Sequence, residues 1–134
     1  MRIQATDERH YLVEVFTKLG FNQDDSQLLA DTLVDADLRG ISSHGIQRLA
    51  WYRRMIKEGT IIPQNKAQII RELPGSVLVD ANQNMGQLAT VLATQKIIEK
   101  AKKTGVAIAV IRNSNHFGTA GYYTRLALKA GLVG

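Results

Sequence analysis

A chain of 134 residues that is 45% hydrophobic and 22% charged is neither disordered nor fibrous, and at this length folding buries roughly 65–70% of the surface the unfolded chain exposes. It has no cysteine, which excludes disulfides, thiol nucleophiles, zinc-thiolate centres and iron–sulfur centres and fits a reducing, cytoplasmic setting. The formal charge of +5 admits a nucleic-acid partner, but the cations are spread along the chain among acids, and the one cluster, Lys96, Lys100, Lys102 and Lys103 around Glu99, reads as the solvated face of a helix.

Asp7–Glu8 followed by Leu12, Val13, Val15, Phe16 and Leu19 places acids in a first turn and apolar residues at helical spacing, predicting a helix that Gly20 stops. Asn22 can cap a second helix, whose Leu28, Leu29, Leu33 and Ala36 share a face and which ends at Arg39–Gly40. A third is expected from Ser42 or Ser43 to Glu58–Gly59. After Pro63 the pattern changes. Gln68–Ile69–Ile70–Arg71–Glu72 and Ser76–Val77–Leu78–Val79–Asp80 are short β-prone runs separated by Leu73–Pro74–Gly75, which predicts a hairpin. Gly86 opens a long helix with a stripe of Leu88, Val91, Leu92, Gln95 and Ile98, ended by Gly105. Val106 to Ile111 reads as a buried strand. This run is also the longest strongly apolar one, far short of the ~20 residues of a membrane helix, and no targeting segment precedes the first helix. The loop Asn113–Ser114–Asn115–His116–Phe117–Gly118 leads into a last helix of about Thr119 to Ala130. The order is helices, then strand, helix, strand and helix: an α/β pattern. A glycine followed by apolar residues at Gly131–Leu132–Val133–Gly134 looks like the start of another strand, so a continuing chain is expected.

Two places can carry chemistry. His44, Arg48 and Tyr52 fall at i, i+4 and i+8, one face of the expected third helix. An arginine fork, an imidazole and a phenol there suit a small organic acid. The same spacing also fits Tyr52 and Trp51 packing into the core, with His44 and Arg48 facing solvent or pairing with acids such as Asp37. The second place is the loop after the Val106–Ile111 strand, since ligands of open α/β sheets lie beyond strand carboxyl ends and near helix N-termini. His116 lies there, where the positive end of a helix dipole favours its neutral form and proton exchange near neutral pH. Gly118 and Gly121 leave room for a ligand. Asn113, Ser114 and Asn115 can equally be ordinary turn residues and His116 a satisfied loop histidine. There is no G-x-G-x-x-G, no phosphate-binding loop, no H-E-x-x-H and no G-x-S-x-G, which argues against an ordinary Rossmann dehydrogenase or a P-loop enzyme.

The run Asp37–Leu38–Arg39–Gly40–Ile41–Ser42–Ser43–His44–Gly45–Ile46–Gln47–Arg48–Leu49, with Tyr52 after it, resembles the N-terminal signature of the malate/L-lactate dehydrogenase family, which also includes ureidoglycolate and sulfolactate dehydrogenases. Asn113–Ser114–Asn115–His116–Phe117–Gly118–Thr119–Ala120–Gly121–Tyr122–Tyr123 resembles its second signature, and Val79–Asp80–Ala81–Asn82 with Gly86–Gln87 fits the pattern between them. The resemblance implies an α/β fold, with an N-terminal helical segment over 1–66 and the beginning of a non-Rossmann nicotinamide-binding domain over 67–134. It further implies a homodimer that uses NAD or NADP to move a hydride to or from C2 of a small 2-oxo or 2-hydroxy acid. By the same resemblance His116 is the proton donor and acceptor, Arg48 holds the substrate carboxylate, His44 lies beside it and Tyr52 is a further contact. Family chains are much longer, so the chain is expected to be an N-terminal portion, with most cofactor contacts beyond residue 134. No metal ligand cluster, nucleic-acid partner or membrane contact is expected. The competing expectation is a non-catalytic, truncated remnant or self-associating binding module that lacks most of the cofactor site.

Overall fold

The computed structural model describes residues 3–134, which form two compact units divided between Gln64 and Asn65. In the first unit, α1 (Ala5–Lys18) carries Asp7 and Glu8 in its first turn and Lys18 in its last, as the helix dipole favours. Gly20 at φ +100° turns the chain out of it. Asn22 then caps α2 (Gln23–Leu38), its side chain accepting from the Asp25 amide at 2.9 Å, an interaction worth about 1 kcal/mol. Leu12 and Phe16 of α1 and Leu29 and Leu33 of α2 are buried, Phe16 meets Phe21 edge-on with centroids 5.8 Å apart, and Arg9 pairs with Asp31 at 2.5 Å across the two helices.

The expected continuous third helix is not formed. Two 3-10 turns, Ser42–His44 and Ile46–Arg48, precede α3 (Leu49–Lys57). The break is at Gly45, which is extended (φ −90°, ψ −151°). Its cause is a side chain from α2: a Cβ on Gly45 would lie 1.9–2.1 Å from the Asp37 carboxylate, and that carboxylate accepts from the Ile46 amide at 2.6 Å.

In the second unit, β1 (Gln68–Leu73) and β2 (Ser76–Asp80) form the expected antiparallel hairpin, with a register shift between Ile69 and Arg71. α4 (Gly86–Thr104) then crosses over so that β3 (Ile108–Arg112) lies parallel to β2, giving the sheet order β1-β2-β3. α5 (Ala120–Lys129) follows. The core joins Val77, Val79, Ala81, Ala89 and Ala93, with Ile69, Leu92, Ile97, Ala109 and Ile111 packed against them.

Two expectations change here. β3 is covered on one face only: Ala109 and Ile111 join the core, while Ile108 is 63% and Val110 55% exposed. An unbroken apolar run does not say how many layers cover a strand, and here one does. The buried face of α4 is also rotated from the expected stripe. Gln95 is exposed, whereas Ala89, Val91, Ala93 and Thr94 are buried. Alanines let the helix backbone approach the sheet, so small side chains, rather than the large ones that periodicity emphasises, face it.

At the carboxyl ends of the parallel strands, Asp80 organises both following loops. It accepts from the Asn82 amide at 2.8 Å, from Arg112 Nε at 2.8 Å and from Asn113 Nδ2 at 2.9 and 3.1 Å. Asn82, Gln83 and Asn113 all have positive φ, and the cluster compensates the strain such conformations carry. The Asn82 amide foremost, then Asn113 and Arg112, hold the Asp80 carboxyl below the usual carboxylate range against the opposing effect of burial. Because its folded value is depressed, Asp80 contributes stability above its unfolded value of about 3.9 and loses it as pH falls through the lower folded value. Asp80→Ala is therefore expected to lower the melting temperature by about 5–10 °C at pH 7. The gap to wild type should narrow below about pH 4 in melts extended to pH 2, where the lost carboxylate is neutral in both states; equal melting at pH 7 would remove Asp80 from this role.

Candidate functional site

The first unit gathers signature residues around a small cleft. His44 closes the first 3-10 turn and Arg48 the second. Arg48 donates from Nε to the Ser43 carbonyl at 2.8 Å, and its guanidinium carbon lies 5.8 Å from the Trp51 ring centroid. Ser43 Oγ is 2.9 Å from His44 Nδ1. Ser43, Gln47, Arg48 and Trp51 line a cleft of about 310 Å³. Backbone anchoring and contact with an indole restrict a long, flexible side chain, so that less rotamer entropy is lost when its Nη donors meet a carboxylate. His44 and Arg48 are half-buried.

Tyr52 does not join them. It is fully buried, its ring centroid 5.4 Å from that of Trp51, and it is not among the residues lining the cleft. The i, i+4, i+8 face required an unbroken helix. With the break at Gly45, His44 and Arg48 are brought to Ser43 by the turns, and Tyr52 falls on the core side of α3. Ser43, Gln47 and Trp51 were not singled out from the sequence as contributors. Ser43 and Gln47 lie inside the signature run, but nothing in residue type announces a backbone carbonyl as the arginine's anchor.

In the second unit, His116 lies in the segment between β3 and α5 and is half-buried. Its Nδ1 accepts from the Gly118 amide at 3.3 Å, which places the proton of a neutral ring on Nε2. The loop around it is held on all sides. Asn115 donates from Nδ2 to the Gln83 and Asn84 carbonyls at 3.0 and 3.2 Å, the Tyr123 hydroxyl donates to the Phe117 carbonyl, and Gln83 N–H donates to the Asn113 carbonyl at 2.9 Å. A Cβ on Gly86 would lie 2.3 Å from the Asn115 carbonyl oxygen and 2.7 Å from that of His116, so this glycine admits the histidine loop against the start of α4. Asn113 and Asn115 thus act as loop ties. Asp80 is the further residue the sequence reading left without a role.

Gly118 has φ +77°, and a Cβ there would meet only Gln87, at 3.6 Å; at Gly121 it would meet Arg125 Nη1 at 3.2 Å. The lysine cluster divides: Lys100 reaches the Glu72 carboxylate at 2.9 Å and the Leu73 carbonyl at 2.7 Å, and Lys96 lies 3.4 Å from Glu99. Among the described residues no helix is long and apolar enough to cross a membrane.

Comparison with known proteins accounts for the clustering of signature residues. The chain is 44% identical over its full 134 residues to malate dehydrogenase of Pyrococcus abyssi, of which it covers 37%. It is 37% identical, again over its full length, to L-sulfolactate dehydrogenase of Methanocaldococcus jannaschii, of which it covers 39%. The solved structure of malate dehydrogenase from Pyrococcus horikoshii matches 98% of this chain, with a TM-score of 0.93 and 41% identity, and the match covers 38% of that chain. The chain therefore spans somewhat over a third of the length of these relatives. Residues 3–134 match the malate/L-lactate dehydrogenase family, and to that family the chain belongs.

Proposed function

We propose that this chain supplies the acid-binding and proton-exchanging residues of a dehydrogenase that interconverts a small 2-oxo acid and its 2-hydroxy acid. The observation that carries the reading is Arg48, held by the Ser43 carbonyl and Trp51 at the mouth of the signature cleft. A guanidinium fixed in this way suits bidentate recognition of a carboxylate. His44 stands beside Ser43 but is not among the residues that line the cleft. The names of the relatives, malate and sulfolactate dehydrogenases, support a substrate in which C2 carries both a carboxylate and the oxygen to be reduced.

His116 is the proton-exchanging group. In the reduction direction the protonated ring gives a proton from Nε2 to the oxygen at C2; in oxidation the ring takes that proton back. The ties on its loop, Asp80 and Asn115 among them, keep the imidazole in place through both directions. A nicotinamide cofactor, NAD or NADP, would supply or accept the hydride at C2 when bound. In this reading the described residues hold the acid and move the proton.

Arg48→Ala should weaken binding of malate to this chain about 10–100-fold, a charge-assisted bidentate pair being lost. Calorimetric titration with malate and with its amide analogues measures it, and equal affinity of wild type and variant for malate would remove Arg48 from the carboxylate site. His116→Asn should lower kcat of the native protein by about 10²–10⁴-fold in an NADH-oxidation assay with oxaloacetate or sulfopyruvate, with acid affinity nearly kept. An unchanged kcat would end the proton-exchange role. Malate binding without any NADH oxidation by the native protein would favour a binding module in its place.

A further inference from the structure

Ser43, Gln47 and Trp51, at i, i+4 and i+8, line the cleft with Arg48, one residue earlier along the chain than the face expected from the spacing of His44, Arg48 and Tyr52. The offset follows from the two 3-10 turns and the extended Gly45 that stand where a continuous helix was expected. Most of the lining groups are already committed. Arg48 Nε donates to the Ser43 carbonyl, Ser43 Oγ lies 2.9 Å from His44 Nδ1, and the Trp51 ring stands between Tyr52 and the Arg48 guanidinium, with its edge contact to Tyr52 at 5.4 Å. Gln47 differs from them. Its side chain is exposed, and no hydrogen bond among the described residues uses its amide.

We infer that Gln47 is the specificity-determining residue of this cleft. Its amide donates to a hydrogen-bond acceptor carried beyond C2, and so favours 2-hydroxy and 2-oxo acids with a carboxylate or other acceptor there over acids that end in a methyl group. The inference rests on the carboxylate-site reading of Arg48, because it takes the C1 carboxylate to be held there. Among the described residues Arg48 is the one charged side chain lining the cleft. An acid seated on it has one carboxylate matched, and the rest of the molecule meets neutral groups: an indole, a hydroxyl and the Gln47 amide. A primary amide offers two N–H donors and one carbonyl acceptor without charge. An acceptor on the substrate exchanges water for one of those donors, whereas a methyl group displaces the water from the amide and replaces it with nothing. The discrimination therefore comes from a hydrogen bond made to one class of acid and lost with the other.

Malate and lactate differ in this respect and can be compared without cofactor. In nitrogen-15 NMR of the 134-residue chain, each acid is titrated in turn while the Arg48 Nε–H and the Gln47 side-chain NH2 signals are followed, the latter identified by their loss in Gln47→Leu. Both acids should move the Arg48 signal, and only malate should move the Gln47 pair. Malate should bind about tenfold more tightly than lactate. Gln47→Leu, similar in size but without hydrogen-bonding groups, should weaken malate about tenfold and leave lactate nearly unchanged. The amides of Gly40 and Ile41, which bond to α2 carbonyls, should keep their positions in the variant and so report an intact fold. The inference is overturned if the Gln47 pair ignores malate, or if Gln47→Leu weakens both acids alike or neither. An Arg48 signal that still moves with both acids would then leave the carboxylate reading standing. If neither acid moves the Arg48 signal, the carboxylate reading itself fails and the role of Gln47 falls with it.

Discussion

The parallel pairing of β2 with β3 is the constraint on which the second unit depends. Parallel neighbours cannot be joined by a turn, so the chain must travel the length of the sheet, which α4 does. Both strands then end at the same edge, and the loops that leave them lie side by side. Asp80 at the end of β2 and Arg112 at the end of β3 are register partners. Their ion pair, with Asn113 and the Asn82 amide, ties one loop to the other. The position of His116 follows from that tie, since its segment starts directly after Asn113 and is pressed against Gly86.

The first unit solves a similar problem with other means. There a polar side chain must be held at the entrance to a short helix, and the chain uses a carboxylate on the preceding helix in place of a local cap. In both units an aspartate that contacts no expected substrate sets the backbone from which the side chains of the proposed site project. Such residues are part of the site as much as the groups that touch a ligand, because an arginine or histidine displaced by an ångström loses most of its effect.

Much of this was legible in the residues. Gly20 and Asn22 marked the boundary between α1 and α2, Pro74–Gly75 marked the hairpin, and the two signature runs pointed to His44, Arg48 and His116 as residues to watch. What the sequence did not show has a common physical origin, which is the dependence of local structure on distant side chains. The break at Gly45 comes from Asp37, the burial of Tyr52 follows from that break, and the face that α4 turns to the sheet is chosen by how closely Ala89 and Ala93 let it approach. Periodicity counts apolar residues along one segment and contains none of this. The one-sided cover of β3 is of the same kind, for a run such as Ile108 to Ile111 reads alike whether one layer or two lie against it.

Trp51 is the one tryptophan in the chain, and it stands in the lining of the Arg48 cleft with the guanidinium near its ring. Indole emission responds to nearby charge and to the polarity of its surroundings. The tryptophan emission of the whole chain is thus the emission of this one cleft, with no second indole to dilute it. A carboxylate that neutralises Arg48 or displaces water from the indole would change the colour or yield of that emission, so the molecule carries its own optical gauge of occupancy at the place where its acid is proposed to bind.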